Sequence, residues 1–282
     1  MKPAAFLVLS LMPGVVLATG QFSEIKNDIG SLPMQLIGPV APMSAELGWR
    51  YSAGLGLEYE AEYHGSDEAA AEVDVFAEIA YRADNWEFQS NLLANRIIYQ
   101  ASDHFFITGW LNLEEGREAD HASDGSLDGM GTVDEMLEFG GGVMWQPMDR
   151  LTLGLVAQSY AGGDPDKGIV GFATVHYRLY DRKNFKLDIS ADMSFANADH
   201  LQTEFGVTPE QALSSGYQVY EFDSGIKSYG VGFNGVYALD DHWSVSFEGH
   251  YEAYATDVTD SPIIEVGTEN EIEAGVTLIY KF

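Results

Sequence analysis

Carboxylates at every second position are the side chains of this sequence best suited to bind ions. Glu58 and Glu60, and later Glu271 and Glu273, alternate with other residues, a spacing that directs them to one face of a β-strand. Rings of carboxylates inside a pore select cations. The acidic residues with this placement are Glu58, Glu60, Glu78, Glu138, Asp188, Asp192, Glu248, Glu252, Glu271 and Glu273. If the strands close into a barrel, we expect an acidic interior that either prefers cations or forms a polar network that plugs a narrow barrel.

A divalent-cation site is a second candidate, in the polar loops. The residues concerned are Asp120, Asp124, Asp128 and Asp134 in one loop, and Asp164 and Asp166 in another. Neither loop has the regular ligand spacing and terminal bidentate Glu of a calcium loop. Solvated acidic loops are therefore the expectation, with calcium bridging to lipopolysaccharide as the alternative.

Hydrolase chemistry is a third candidate. His242 and Ser244 share one strand face, as do Ser246 and His250. A serine nucleophile needs a base within hydrogen-bond reach and an orienting acid, and this spacing supplies no such set. Trp243 beside them is typical of a membrane-interface anchor. We expect no catalytic residue, no cofactor and no metal.

The elements that position these residues are strands, and the last one is the clearest. Within Glu269–Phe282, apolar side chains occupy every even position from Ile272 to the terminal phenylalanine, opposite a mostly polar face. An aromatic chain end is unusual for a soluble domain but suits a strand whose outer face meets lipid. The alternative is a half-buried edge strand of a soluble β-domain.

Composition narrows the class of protein. The formal net charge is -30, which repels phosphate backbones and argues against nucleic-acid binding. An acidic surface of this kind also accompanies a saline habitat. The absence of cysteine excludes disulfides and thiolate metal sites. This fits a chain that crosses an oxidising periplasm unfolded.

The first 45 residues predict two segments that precede the folded domain. Residues 1–20 carry a lysine, an apolar run to Ala18 and small residues before the cleavage point, which predicts a signal peptide. Residues 21–45 contain Pro33, Pro39 and Pro42 without alternation, so we expect an irregular leader that lies in the periplasm or partly enters the barrel.

Residues 46–282 predict an all-β, antiparallel up-and-down transmembrane barrel, with 12 strands favoured and 10 as the fallback. The difference depends on whether a turn at Asn91–Asn95 splits the segment Trp86–Gln100 into two short strands. Long connections such as Glu114–Val133 and Asp199–Asp223 alternate with short ones such as Asp240–Asp241. This asymmetry is typical of outer-membrane barrels, whose short turns face the periplasm.

Loop motifs of this chain resemble those of the MipA/OmpV family, the MltA-interacting proteins. The resemblance covers about residues 45–282 and is strongest in the block from Phe205 to Ala212 and in Asp260-Ser261-Pro262. The motif residues include Gly65, Ser66, Arg117, Phe205, Gly206, Pro209, Ser261 and Pro262. The resemblance implies a barrel in the outer membrane of a Gram-negative bacterium. It also implies a scaffold that links a lytic transglycosylase to a peptidoglycan synthase, although some members are described as porin-like, adhesive or osmotically responsive.

Basic residues cluster near the short turns, where a periplasmic partner would bind. They are Arg150, Arg178, Arg182, Lys183 and Lys186. We expect them to meet acidic cell-wall enzymes or peptidoglycan, or else to anchor the barrel beside lipid phosphates. The first functional reading is thus a non-enzymatic scaffold for murein enzymes, in contact with lipid and lipopolysaccharide. The alternatives are a porin-like channel for cations or small solutes, and an adhesin that acts through acidic outer loops.

Overall fold

The computed structural model describes residues 43–44, 46–91, 94–163 and 165–282, which form a closed barrel of twelve antiparallel strands. The strands are β1 (Gly48–Ala61), β2 (Ala69–Arg82), β3 (Trp86–Asn91), β4 (Ala94–Ser102), β5 (Phe105–Glu114), β6 (Met136–Met148), β7 (Leu151–Ala161), β8 (Ile169–Arg182), β9 (Phe185–Ala196), β10 (Gly225–Ala238), β11 (Trp243–Tyr254) and β12 (Asn270–Lys281). Each strand pairs with its sequence neighbours, and β12 closes the barrel against β1, with Leu55 opposite Leu278. The predicted signal peptide, nearly all of the leader and Asp164 lie outside the described residues.

Along the strands of the barrel wall, exposed apolar side chains alternate with buried ones at every second position. On β6, Leu137, Phe139 and Val143 are exposed while Met136, Glu138 and Met144 are buried. The exposed side is apolar on strand after strand, which is the reverse of a soluble protein and suits a barrel surrounded by lipid. None of the helices in the described residues is long and apolar enough to cross a bilayer.

The connections differ in length at the two ends of the barrel, which we call the loop end and the turn end. At the turn end, two residues join β6 to β7 and two join β8 to β9. At the loop end, the connections carry helices: α1 (Ala198–Phe205) and α2 (Pro209–Ser215) between β9 and β10, and α3 (Thr256–Thr259) and α4 (Pro262–Val266) between β11 and β12. These stretches are predicted from the sequence as loops, and the helices within them are not predicted.

The connection between β3 and β4 lies at the loop end but is short, unlike the long connections described above. This hairpin confirms the predicted division of Trp86–Gln100 into two strands, which gives twelve strands in all. The turn is narrower than the predicted Asn91–Asn95, because β3 ends at Asn91 and β4 begins at Ala94. Only Glu78–Arg82 of β2 pair with β3, so Ala69–Ala77 of the 14-residue β2 pair with β1 alone among the described strands. The barrel wall is therefore shorter at the β3–β4 hairpin than beside it, on the side of the loop end.

Other strand boundaries also differ from the predictions. The alternating pattern that predicts the first strand covers residues 46–63, but β1 is shorter. The pattern that predicts the second strand starts at Val73, but β2 begins at Ala69. The segment Ala69–Ala71 has no alternation of its own, but it pairs with Tyr59–Ala61 of β1. Strand pairing thus extends β2 beyond its sequence pattern.

Candidate functional site

The carboxylates predicted for the interior lie on the inner face, opposite the exposed apolar side chains. Most have partners there. Glu138 accepts hydrogen bonds from Trp110 Nε1 at 2.8 Å, from Asn112 Nδ2 at 2.9 Å and from Gln158 Nε2 at 3.0 Å. The remaining partnerships are Asp188 with Arg178, Asp192 with His250, Glu248 with Asn234, Glu252 with Lys227 and Ser228, and Glu271 with His64, Gly65 and Tyr254. The interior thus contains several separate groups of hydrogen-bonded and ion-paired polar side chains.

The basic residues predicted near the short turns divide into two groups. Arg150, Arg182, Lys183 and Lys186 are exposed at two neighbouring turns, since the Arg178 amide donates to the Arg150 carbonyl at 2.8 Å. Arg178 itself is only 4% exposed, and its guanidinium meets Asp188 inside the barrel. Arg178 therefore belongs to the inner polar groups and not to the surface of the turn end.

The serine and histidine candidates do not assemble. His242 Nδ1 lies 3.0 Å from the carbonyl oxygen of Lys281, and His250 Nε2 lies 3.0 Å from Asp192 Oδ1. Ser244 Oγ is buried and has no hydrogen-bond partner among the described residues. No serine–histidine pair is therefore available there to act as nucleophile and base.

Long connections at the loop end fold together into a structure that we call the cap, made by the connections after β1, β5, β9 and β11. One apolar cluster of the cap contains Leu201, Phe205, Val258 and Ile264, and a second contains Tyr63, Leu127, Met130 and Ile263. Residues that are far apart in the sequence therefore pack into the same apolar clusters at the loop end of the barrel. Burial of this kind stabilises the cap as a packed unit rather than a set of separate loops.

The family-motif residues converge in this cap. Phe205 is fully buried, and its ring centroid lies 5.2 Å from that of Tyr254. The Arg117 guanidinium donates to the carbonyls of Glu204 at 2.7 Å and Thr203 at 3.0 Å, and the Ser261 hydroxyl donates to the Phe205 carbonyl. The other motif positions are Gly65 and Ser66 in the first connection, Gly206 at the end of α1, and Pro209 and Pro262 in the first turns of α2 and α4.

Gly65 is required for both its backbone and its space. Its φ of +91° is in the left-handed region, and a Cβ there would lie 2.2 Å from Ile264 Cδ1. This conformation lets the Gly65 amide donate to Glu271 at the end of the barrel interior. The glycine thereby joins the first connection to both α4 and β12.

A cavity of about 100 Å³ lies beneath the cap, lined mainly by ionisable groups. We call it the acidic cavity. Its charged and histidine lining consists of Glu60, Glu62, His64, Glu114, Glu115, Arg117, His121, Lys167, Glu204, Glu271 and Glu273. Carboxylates outnumber cations in this set. From the sequence, Glu60, Glu271 and Glu273 are predicted in the interior and Arg117 among the loop motifs, but nothing in the sequence predicts that they meet at one site.

Ion pairs fix the cations of the cavity. Lys167 Nζ lies 2.9 Å from Glu204 Oε1 and also pairs with Glu114. Burial alone would raise the pKa of Glu204, but Lys167, His64 and Arg117 outweigh it and hold that pKa well below its ordinary value. Both charges of the Lys167–Glu204 pair are therefore retained under the cap.

His64 is a third cation at this site. Burial and Lys227 both disfavour its protonated ring, but Glu271 and Glu204 outweigh them and raise the pKa of His64 to about 9. Its Nδ1 lies 3.3 Å from Glu271 Oε2. By contrast, burial lowers the pKa of His200 to about 3, and its Nδ1 lies 3.0 Å from the Lys167 carbonyl oxygen. Near neutral pH, His64 is thus charged and His200 is neutral.

Metal binding finds little geometric support. No group of three or more His, Cys, Asp or Glu in the described part of the chain is arranged to hold a metal ion. Asp124, Asp128, Asp134 and Asp166 are exposed on the cap and the neighbouring connection.

The lipid-facing wall, the closed twelve-strand topology and the unequal ends define an outer-membrane β-barrel protein. Comparison with known proteins agrees with this class. A family model described as "MltA-interacting protein MipA" matches residues 53–282, and the chain belongs to this family.

Curated relatives carry outer-membrane names. Outer membrane protein Omp26La of Vibrio anguillarum is 29% identical over 92 residues, which is 33% of this chain and 34% of that protein. Outer membrane protein OmpV of Vibrio cholerae is 27% identical over 92 residues, with the same shares. The matched region thus spans about a third of these relatives.

Solved structures with a similar shape include two bacterial barrels. The translocator domain of the autotransporter NalP from Neisseria meningitidis has a TM-score of 0.46 at 10% identity and covers 89% of this chain and 95% of that one. The NanC porin has a TM-score of 0.42 at 9% identity and covers 82% of this chain and 100% of that one.

Proposed function

We propose that this protein is a non-enzymatic scaffold that holds a cell-wall enzyme, a lytic transglycosylase, against the periplasmic face of the outer membrane. One observation carries the proposal. The exposed Lys and Arg side chains of the described residues are Arg150, Arg182, Lys183, Lys186 and Lys281, and all five lie at the turn end. In a chain with a net charge of -30, this placement makes two neighbouring turns locally basic, because Arg150, Arg182, Lys183 and Lys186 outnumber the exposed Asp149 and Asp181 there. The other turns of this end carry the exposed aspartates Asp84, Asp103, Asp240 and Asp241.

The turn end faces the periplasm in barrels of this kind, so this basic surface would meet proteins of that compartment. Positive and negative patches that face each other steer association and set orientation. An acidic surface on the enzyme, or on a peptidoglycan synthase bound beside it, is the complementary partner. The family description, which names an interaction with MltA, supports this choice of partner.

Charge reversal at the turn end tests the proposal. Purified lytic transglycosylase should be retained by the wild-type barrel in mild detergent and released by added salt. A variant carrying Arg150→Glu, Arg182→Glu, Lys183→Glu and Lys186→Glu should lose most of this retention. A control carrying Asp199→Lys, Glu210→Lys, Asp223→Lys and Asp257→Lys changes as many exposed charges at the loop end and should retain the enzyme. Equal retention by both variants would refute the proposal.

A cation channel is the second candidate, favoured by the carboxylates of the inner face. The polar contacts that hold many of them, and the cap above, argue for a narrow or closed path. Planar-bilayer recordings distinguish the two functions. The scaffold predicts no steady conductance from the wild-type protein, whereas steady steps with a preference for cations over anions would favour the channel.

A further inference from the structure

We propose that the barrel binds its own leader on the inside, with residues 33–42 lying along an apolar part of the inner wall. This part, which we call the inner strip, consists of Ile98, Phe106, Trp110, Met144 and Val156 on β4 to β7, and Phe172 of β8 packs beside them. An apolar strip is unexpected there, because the interiors of outer-membrane barrels are polar. The proposal goes beyond the scaffold function, since it concerns the inner face of the barrel and not the turn end.

The inner strip is covered on the side of the lumen. Its five side chains are at most 5% exposed, whereas Ile97, Ile107, Val143 and Leu155 beside them point outward and are exposed. In a barrel of eight strands, the side chains of the wall just fill the interior, so twelve strands leave additional space. Burial this complete in a wider barrel indicates that something lies against the strip.

The wall across the barrel offers little to cover the strip. In the closed strand order, β10, β12 and β1 lie opposite the strands of the strip. Around the middle of these three strands, several inward positions are glycines, namely Gly54, Gly56, Gly230, Gly232 and Gly275. A glycine has no side chain that could reach across the lumen. The cover must therefore come from a further segment or molecule inside the barrel.

The end of the leader identifies this segment. Met43 packs against the inner strip. The Ser44 amide donates to Glu87 Oε2 at 2.6 Å, and Arg82 Nε donates to the Ser44 carbonyl oxygen at 3.2 Å. Glu87 lies on the inner face, because it pairs with Arg82 on one side and with Ile98 of the strip on the other, and all three are buried. The chain therefore runs through the inside of the barrel before it enters β1 at the turn end.

The residues that precede Met43 have a composition that suits this place. No Lys, Arg, Asp or Glu occurs in residues 29–45, although 21% of the whole chain is charged. Apolar side chains that could cover the strip are Met34, Leu36, Ile37 and Val40. Pro33, Pro39 and Pro42 have no amide hydrogen, so fewer backbone donors need a partner inside the barrel. The segment is therefore apolar, uncharged and poor in donors.

The length of the segment also fits. Ten extended residues reach roughly 33 Å, which exceeds the apolar band of about 25 Å that the wall of an outer-membrane barrel presents to lipid. Residues 33–42 can therefore run along the lumen from Met43 towards the cap. In this position they fill the space that the glycines of the facing wall leave open.

Cysteine cross-linking tests the location of the leader, because the chain has no cysteine of its own. Ile37→Cys and Val40→Cys are each combined with Val156→Cys, which lies in the inner strip. The matched control combines them with Leu155→Cys, which is one residue away but on the lipid-facing side. After mild oxidation of protein purified from outer membranes, at least one leader position should form a disulfide with Val156→Cys, and neither should do so with Leu155→Cys. Mass spectrometry of the digested protein identifies the linked peptides.

Paired substitutions in the leader test the apolar contact itself. Met34→Asp with Leu36→Asp should lower the yield of the disulfide to Val156→Cys at least about tenfold, because two apolar contacts are lost and two charges would have to enter the strip. The control Phe22→Asp with Ile25→Asp makes the same kind of change in the leader but outside residues 33–42, and should leave the yield unchanged.

Folding of each variant is checked by heat-modifiable migration in gel electrophoresis. If Val156→Cys does not fold, Met144→Cys in the strip and Val143→Cys on the outer side of β6 form the equivalent pair. Disulfides that join two molecules only would assign the strip to a second copy and overturn the proposal. It would equally be overturned if folded barrels gave no disulfide to the strip, or gave the inner and outer positions the same yield.

Discussion

Phe205 connects the cap to the barrel, because its ring packs against Tyr254 of β11 as well as Phe222 of the cap. Phe205→Ala would leave a cavity at a fully buried position and should destabilise the cap by about 3–5 kcal/mol. Hydrogen exchange across residues 198–223 measures this effect. The control Leu213→Ala alters a side chain that is 89% exposed on α2 and should shift stability by less than about 0.5 kcal/mol. Equal exchange rates in the two variants would contradict the packing described here.

His64 predicts a pH dependence. Its pKa rises from an ordinary value of 6.5 to about 9 in the folded chain, so the folded state holds a proton that the unfolded state releases. This contribution to stability is complete below pH 6.5 and is lost as the pH rises through about 9. Denaturant unfolding at a series of pH values should show a loss of stability over this window that is smaller in His64→Gln. Parallel curves for the two proteins would argue against the His64–Glu271 interaction.

For individual residues, the sequence predicts the direction of a side chain but not its hydrogen-bond partners. Period-two alternation predicts a common face for Glu138 and Glu273, because side-chain direction in a strand is a local property. The pattern could not reveal that Glu138 has three donors while an oxygen of Glu273 has none. Partnership depends on which side chains meet across strands and loops, as the pairing of Arg178 with Asp188 also shows.

Among the elements, the helices of the cap were missed although their local signals were present. Thr208 and Gln211 form a capping box with Pro209 at the start of α2, and Ser261 with Pro262 begins α4. These helices are short, with seven and five residues, and lack the apolar repeat that identifies longer helices. Strands, by contrast, were found because the lipid-facing side leaves a long regular pattern.

Strand β6 allows a test of the lipid-facing assignment. Val143 is exposed near the middle of this strand, so Val143→Arg places a charge in hydrocarbon and should cost about 2–4 kcal/mol. Met148 is exposed at the turn end of the same strand, and Met148→Arg should cost about 0–1 kcal/mol near the interface. Unfolding in lipid vesicles compares the two variants. Equal costs would mean that this face does not contact lipid with a gradient of depth.

Exposed charges are distributed unevenly along the barrel axis. The exposed Lys and Arg side chains of the described residues lie at the turn end, and acidic residues cover the cap. A membrane-impermeant amine reagent added to intact cells should therefore leave Lys183, Lys186 and Lys281 unmodified, and should modify them once the outer membrane is permeabilised. Leu213→Lys places an amine on the exposed surface of α2 and should be modified in intact cells. Mass spectrometry locates the label. Modification of Lys183 in intact wild-type cells would reverse the orientation.

Bilayer shape must follow the uneven height of the barrel. At about 3.3 Å per residue and a tilt near 40°, the six residues of β3 span roughly 15 Å of an apolar band about 25 Å tall. Lipids of the outer leaflet beside the β3–β4 hairpin must sink or splay to keep their tails against apolar side chains. The barrel therefore imposes a local dimple on one side of its perimeter, which gives its lateral contacts in the membrane a preferred direction.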